Sequence, residues 1–291
     1  MKEVNIFCFG FGQVAKNFIK KISLENLKIN LAATSREKSQ KKFFNKLSYE
    51  SFQLDANTFD QTLIERLKKS DYILVSIAPI NGEDIVLKKF INIIENSNVK
   101  WITYLSATSV YGNHNGDWVD EKSKTAPTSI KGIDRLKAEN SWVNLSTNKN
   151  LPLQIFRLSG IYSNEKNILI RLKSGNEKII DKKNHFFSRI HVEDIANILF
   201  RSLNNFKPNE IYNISDDKPA SSREVALYGT KLLNIEKPTI IETSSITSEA
   251  IKNFYKDSKK VSNKKMKSFF NYKLKYPTYV EGLNYIRDNF I

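Results

Sequence analysis

The sequence predicts an α/β fold: a doubly wound parallel sheet followed by a small, mostly helical C-terminal lobe. Three observations carry this. Apolar strand-length runs alternate with segments of helical period through the first half of the chain. The first run passes directly into a glycine turn, Gly10-Phe11-Gly12-Gln13-Val14-Ala15, and a helical pattern follows. Beyond residue 160 the alternation weakens, and from Ser221 the pattern is mostly helical.

In chain order, residues 4–9 form the first strand and 13–23 the first helix. Strands at 27–34 and 49–54 come next, then a helix at 60–69. Asp71 precedes an apolar strand at 72–77, the pattern of a central strand buried on both faces. Pro79 and Gly82 break the chain before a helix at 84–96. A strand at 101–105, a helix at 129–145 and a strand at 153–157 complete the regular part. A short helix at 167–174 and a strand at 186–192 follow. The helix at 192–203 carries Glu193 and Asp194 in its first turn, where acidic groups suit the helix dipole, and 211–214 is a short strand. These elements place a dinucleotide-binding domain at 1–160, with 186–215 returning to its sheet. A lobe at 161–291 caps the carboxyl ends of the strands and shapes a substrate cleft. No internal repeat and no low-complexity linker is present.

The glycine turn has the G-x-G-x-x-A form of a Rossmann-type nucleotide site. Its first Gly permits the tight bend. The second lets backbone approach a pyrophosphate, and the small Ala15 lets helix and strand pack closely. The helix N-terminus then offers N–H groups and a positive dipole end to phosphate. The second strand ends in Ser35-Arg36 without a carboxylate for the ribose 2′-hydroxyl, and both residues are compatible with a 2′-phosphate. NADP is therefore expected over NAD. Gly10, Phe11, Gly12, Gln13, Val14, Ser35 and Arg36 are the cofactor candidates, with Ala78 and Pro79 after the fourth strand and Ser106 and Ala107 ending the fifth.

Composition narrows the partners. The chain has 291 residues, ample for a buried core, and a formal charge of +15. The lysines are scattered, as in Lys20-Lys21, Lys41-Lys42, Lys68-Lys69 and Lys88-Lys89, so most of the charge reads as a solvated surface that favours anionic ligands. No basic stripe interleaved with aromatics argues for nucleic acid. No run of about 18 apolar residues predicts a membrane span. The start of the chain runs directly into a strand, without a signal-peptide pattern, and the lone Cys8 cannot form an internal disulfide; both fit a cytoplasmic protein. Three His and one Cys without ligand spacing predict no metal, and no nucleophile elbow or phosphate-loop lysine motif occurs.

Several further motifs stand in order. They are Leu105-Ser106-Ala107-Thr108-Ser109-Val110-Tyr111-Gly112, Trp118-Val119-Asp120-Glu121 with Pro127, and Ala138-Glu139. Arg157-Leu158-Ser159-Gly160-Ile161-Tyr162, Ile190-His191-Val192-Glu193-Asp194-Ile195-Ala196 and Ile211-Tyr212-Asn213-Ile214 follow. Ser262-Asn263-Lys264-Lys265, Tyr276-Pro277 and Glu281-Gly282-Leu283 close the series. With the glycine turn, their order and spacing resemble the extended short-chain dehydrogenase/reductase family of NAD(P)-dependent epimerases and dehydratases, over nearly the whole chain. The resemblance implies a Rossmann-type sheet, a nicotinamide cofactor and hydride transfer to or from a small hydroxyl or carbonyl substrate. It also implies an adenine contact near Asp55, and by analogy a homodimer.

The chain departs from that family at the chemistry. The family uses a Ser or Thr, a Tyr and a Lys. The Ser/Thr position, counted back from Gly112, is Ala107. The Tyr position, counted from Pro127 and from Glu139, is Lys131, and the Lys position is Arg135. The chain thus resembles atypical members that keep the glycine turn and lose the triad. Thr108 and Ser109 are the adjacent hydroxyls, either replacing the lost Ser or capping a turn. Lys131 and Arg135 lie one helical turn apart on one face. Arg135 offers a donor fork for ribose or phosphate, and Lys131 suits acid–base work only if burial or neighbouring cations lower its pKa. Tyr111 and His191 read as packing and bracing residues, and His114 as a residue of a polar loop facing the cleft. Sugar-nucleotide epimerases often place a diphosphate-binding Arg a few residues before the I-H-V motif; here Phe187 falls near that position and Arg189 directly precedes Ile190. The alternative to an enzyme is a non-catalytic NADP-binding regulator or sensor.

Overall fold

A computed structural model describes residues 3–25, 27–175 and 178–291. The chain runs β1 (Glu3–Phe9), α1 (Gln13–Leu24), β2 (Lys28–Ser35), β3 (Gln40–Phe44), β4 (Leu47–Gln53), α2 (Leu63–Lys68), β5 (Tyr72–Val75) and α3 (Ile85–Glu95). It continues through β6 (Trp101–Ala107), β7 (Trp118–Val119), α4 (Ile130–Lys149), β8 (Leu153–Leu158), β9 (Gly160–Tyr162), α5 (Ile168–Lys173), β10 (Ile179–Asp181) and β11 (Arg189–His191). The remainder is α6 (Val192–Ser202), β12 (Glu210–Ile214), α7 (Ser222–Leu233), β13 (Ile240–Glu242), α8 (Glu249–Phe254), β14 (Lys260–Val261), α9 (Lys264–Phe269) and α10 (Tyr279–Phe290).

Eight strands form one sheet in the order β12-β8-β6-β5-β1-β2-β4-β3. From β1 the chain winds outward through β2 and β4, then crosses back to β5 on the other side of β1. That reversal makes the carboxyl ends of β1 and β5 the topological switch point, where open α/β sheets bind ligands. The expected α/β doubly wound sheet is therefore present. Phe7, Cys8 and Phe9 are fully buried, as a strand covered on both faces requires.

Two features of the sheet differ from the sequence reading. The edge strand β3 was not expected; it pairs antiparallel with β4 through the two-residue loop Asn45-Lys46. Both loop residues have positive φ, +46° and +65°, the backbone of a type I′ hairpin turn. Strand β5 stops at Val75 rather than residue 77, because Ser76 turns its hydroxyl onto the glycine turn instead of continuing the strand. Helix α4 runs past residue 145 to Lys149, where Asn150 takes a left-handed conformation with φ +52°.

The chain forms two compact units that interleave along the sequence. Unit 1 is Met1–Ser106, Asp134–Arg157 and Ile195–Tyr212; unit 2 is Ala107–Ile133, Leu158–Asp194 and Asn213–Ile291. The division is finer than a single cut at 160: residues 107–133 belong to unit 2, and of 186–215 the part 195–212 belongs to unit 1, adding β12 beside β8. The core of unit 1 packs Phe7, Phe9, Phe52, Phe90, Tyr104 and Trp142. In it Arg157 makes a buried ion pair with Glu139, Nη2 to Oε2 at 2.7 Å and Nε within 3.2 Å of both oxygens. Asp84 caps α3 by accepting from the amides of Val86 and Leu87 at 2.8 and 3.1 Å, and it also accepts from Trp142 Nε1 at 3.0 Å.

Unit 2 has its own core, in which Leu169 and Leu172 of α5 meet Val225 and Ala226 of α7 and Leu283 and Ile286 of α10. Helix α10 starts with a capping box between Thr278 and Glu281. Its strands are three short parallel ribbons, β7–β14, β9–β11 and β10–β13, which the sequence reading largely missed because two- and three-residue strands carry no period.

Candidate functional site

The glycine turn lies in unit 1, and its two glycines serve different ends. Gly10 has φ +85°, and a Cβ there would lie 2.9 Å from Ser76 Oγ and 3.2 Å from Ile77 Cγ1. Its amide donates to Thr34 Oγ1 at 2.8 Å. Ser76 Oγ donates to the carbonyls of Phe9 and Gly10, at 2.9 and 3.1 Å. The turn is thus pinned to the end of β2 and to the loop after β5. Ser76 escaped the sequence reading; a lone hydroxyl interrupting an apolar strand at the level of the turn is its signal. Gly12, by contrast, has an ordinary φ of −83°, and a Cβ on it would meet nothing within 4 Å. No side chain caps α1, whose N-cap is Gly12 itself. Open space before an uncapped helix start suits an anion, and a pyrophosphate would approach the backbone there.

The neighbouring residues sort by what their side chains do. Val14 is buried in the core, so only its backbone belongs to the turn. Gln13 opens α1, and its carbonyl accepts from Asn17 Nδ2. Phe11 is half-buried and packs edge-on against Phe44, with ring centroids 5.4 Å apart, and against Tyr49 at 4.9 Å. The β3–β4 hairpin therefore supports the turn from the side. Ser35 ends β2, and its hydroxyl sits 3.2 Å from that of Ser51. Arg36 follows, exposed and with no hydrogen bond or ion pair among the described residues. It is a charge left for something else.

Asp55 is occupied otherwise. Its Oδ1 accepts from the amides of Thr58 and Asn57, at 2.8 and 2.9 Å, and these bonds hold the carboxyl below its usual range. It closes its own turn after β4. Ala78 and Pro79 lie in the loop after β5, exposed and half-buried respectively. At the end of β6, Ser106 is buried and its Oγ has no hydrogen-bond partner among the described residues. A buried hydroxyl without a partner is uncommon.

The positions of the expected chemistry look different. Ala107 is half-buried and precedes a single 3₁₀ turn over Thr108–Tyr111. Thr108 stands half-buried in that turn, and its hydroxyl makes no hydrogen bond among the described residues. Lys131, in unit 2, is exposed and unpaired among the described residues. Arg135, in unit 1, donates from Nη1 to Leu105 O at 2.8 Å and to the Tyr104 hydroxyl at 3.3 Å. Its guanidinium lies 5.7 Å above the Tyr104 ring. Burial pushes the Tyr104 phenol well above its ordinary pKa, which keeps it neutral. Arg135 thus braces the end of β6.

In unit 2 the motif residues mostly hold one another. Tyr111 donates to Asn213 Oδ1 at 2.7 Å, and the Asn213 amide donates to Glu121 Oε1 at 2.7 Å. Asp194 accepts from the Tyr272 hydroxyl at 2.6 Å and from the amides of Lys275 and Tyr276 at 2.7 and 3.0 Å. His191 is buried against Tyr162 and Tyr276. His114 donates from Nε2 toward the carbonyls of Tyr111 and Lys124, so it staples its loop. Arg189 donates from Nη1 to the carbonyls of Phe187 and Ala220 at 3.0 and 2.9 Å. No group of His, Cys, Asp or Glu among the described residues could hold a metal ion, and no helix among them is long and apolar enough to cross a membrane.

The sequence matches no protein-family model and no curated protein. Among solved structures, a conserved protein of unknown function from Silicibacter pomeroyi DSS is 29% identical, covers 99% of both chains and has a TM-score of 0.87. UDP-glucuronic acid 4-epimerase from Bacillus cereus, in complex with NAD, is 15% identical, covers 99% of this chain and 96% of its own, and has a TM-score of 0.77. dTDP-glucose 4,6-dehydratase from Bacillus anthracis str. Ames, in complex with NAD, is 18% identical, covers 98% and 96%, and also has a TM-score of 0.77. The fold of this chain is that of the NAD-dependent epimerases and dehydratases, and the resemblance to the extended short-chain dehydrogenase/reductase family read from its motifs is borne out at the level of the fold.

Proposed function

We propose that this chain binds a nicotinamide dinucleotide at the glycine turn of unit 1, prefers NADP to NAD, and acts as an oxidoreductase or epimerase-like protein on a small hydroxyl or carbonyl substrate. One observation carries the reading: the open space before Gly12 and the uncapped start of α1, built on a turn that Thr34 and Ser76 hold rigid. The fold is shared with structures that hold NAD, which supports a dinucleotide there. The preference for NADP rests on Arg36, exposed and unpaired among the described residues, beside Ser35 where a 2′-phosphate would lie. When bound, the cofactor supplies hydride chemistry at its nicotinamide ring. The chain's own part is to receive phosphate on the α1 amides and to charge-match the 2′-phosphate with Arg36.

A second reading, a non-catalytic NADP-binding sensor, is favoured by a different observation. Ala107 has no hydroxyl, Lys131 is solvated, and Arg135 is engaged with β6. Fluorescence titration of NADPH and NADH into the wild type and Arg36→Ala tests the cofactor. Removing a charge-assisted hydrogen bond to the 2′-phosphate weakens NADPH binding by about 1.5–3 kcal/mol and leaves NADH nearly unchanged. Equal weakening of both nucleotides would remove Arg36 from the site, and no binding of either would remove the proposal. Steady NADPH oxidation with a panel of carbonyl compounds separates the enzyme from the sensor.

A further inference from the structure

Unit 2 contains a pocket that no motif accounts for. It forms where the parallel ribbon β10–β13 ends. Asp181 pairs with Glu242, and the next residues, Lys182 and Thr243, leave the ribbon side by side. With Ile246, Lys252, Tyr255 and Lys256 they line an open hollow of about 190 Å³. A cavity of roughly 150 Å³ admits a benzene-sized body.

Its walls and its rim differ in character. Ile246 and the Tyr255 ring are buried and supply the apolar surface. Three lysines supply the charge. Lys182 Nζ is held in place by donating to the Tyr255 carbonyl. Lys252 is paired with Glu249 at 2.8 Å. Lys256 forms no hydrogen bond or ion pair among the described residues and meets the Glu249 carboxylate only at longer range. Of the three lysines, Lys256 is the one left without a hydrogen bond or ion pair among the described residues.

A second observation lies behind the wall. The Tyr255 ring stacks on His185, with centroids 5.2 Å apart, and Phe187 meets the imidazole edge-on at 4.5 Å. His185 is 2% exposed and lies beside the backbone of Tyr255 and Asp257. The wall is therefore an aromatic stack of Tyr255, His185 and Phe187.

We propose that this pocket binds a compact organic oxyanion, a phosphate or carboxylate on an apolar body of about one ring, with Lys182 and Lys256 as its charge partners and Tyr255 as its ring wall. Lys256 supplies the unmatched charge, and Lys182, already oriented by the Tyr255 carbonyl, supplies a fixed donor at the ribbon end. The proposal does not rest on the dinucleotide reading, because every residue in it belongs to unit 2.

Calorimetric titration of the full chain without nucleotide tests it, using phenyl phosphate and benzoate as the two oxyanion arms and benzyl alcohol as the neutral ring. One-to-one saturable binding of at least one oxyanion is expected, with no measurable binding of benzyl alcohol. The stronger arm identifies the headgroup. Lys256→Gln should weaken it at least fivefold, and adding Lys182→Met should abolish it. The melt of Lys256→Gln should match the wild type; the double variant, which also loses the Lys182 bond to the Tyr255 carbonyl, is scored on its folded fraction. NADPH titration into Lys256→Gln should be unchanged, which keeps failure here separate from failure of the cofactor site. No saturable oxyanion binding, equal binding by the double variant, or benzyl alcohol binding as tightly as the anions each overturns the proposal.

Discussion

The glycine turn of unit 1 and the motif residues of unit 2 handle polar groups in opposite ways. Around the turn the scaffold is closed and the ligand-facing groups are open: Thr34 and Ser76 fix the backbone, while Gly12 faces empty space and Arg36 has no partner among the described residues. In unit 2 the motif side chains that match a catalytic family are spent on each other, as in Tyr111 with Asn213 and Asp194 with Tyr272. The lesson is about what a motif reports. A motif can persist because its residues brace a fold, and groups left without partners are the better guide to chemistry.

The largest expected effect comes from a closed group inside unit 1. Glu139 and Arg157 are both buried and joined by a forked ion pair. Glu139→Ala would leave Arg157 charged and without its carboxylate in the core, at a cost of about 3–5 kcal/mol. Urea denaturation measures it. Dinucleotide affinity, scored on whatever fraction stays folded, should be unaffected. A loss of under about 1 kcal/mol would mean the pair bears no weight in the fold, and the contrast between bracing and binding groups would break at its strongest point.

Acid sharpens the comparison next. Burial pushes the pKa of both His185 and His191 down from 6.5 to about 4. In the unfolded chain both take up protons as the pH falls through 6.5, whereas in the folded chain they stay neutral until about 4. Their contribution is therefore full above 6.5 and is lost as the pH drops toward 4, by about 1–3 kcal/mol each. The buried carboxyls of Asp194 and Asp216 are raised by burial and act with the opposite sign, favouring the fold in acid and losing that contribution as the pH rises. Single variants separate the two classes. His191→Phe, which keeps a ring between Tyr162 and Tyr276, should show a flatter fall in stability from about pH 7 to about 4.5 than the wild type. Parallel curves would mean that His191 titrates normally.

How much of this was legible in the sequence follows from period and from partnership. The sheet was readable because its strands are long enough to show buried runs, and the turn because three small residues sit at fixed offsets after a strand. Strand β3 was missed although Asn45 opens its hairpin, because Lys41 and Phe43 are exposed and the half-buried position between them is the charged Lys42, which gives no apolar alternation. The geometry of the candidate turn was legible at Gly10 and Gly12, whose conformations depend on local backbone. It was not legible at Ser76, Arg135 or Asp55, whose hydrogen-bond partners decide their roles. Arg135 was expected to serve a ligand as a donor fork; its Nη1 donates to a backbone carbonyl thirty residues away in the chain.

The smallest expected effect on stability gives the cleanest cut between scaffold and site. Gly10→Ala forces a side chain into φ +85° with its Cβ 2.9 Å from Ser76 Oγ, and should cost about 1–3 kcal/mol in a denaturant melt. Gly12→Ala asks for nothing unusual: its φ is −83° and its Cβ would enter open space, so stability should change by less than about 1 kcal/mol. Yet that methyl stands where a pyrophosphate would meet the backbone. NADPH affinity should fall by about tenfold or more, because no neighbouring group can move to make room for a phosphate against a fixed helix start. Two neighbouring positions, each given the same methyl, would then fail for different reasons, one in folding and one in binding. If Gly12→Ala bound NADPH like the wild type, the phosphate would have to lie elsewhere, and the open face of the turn would be surface.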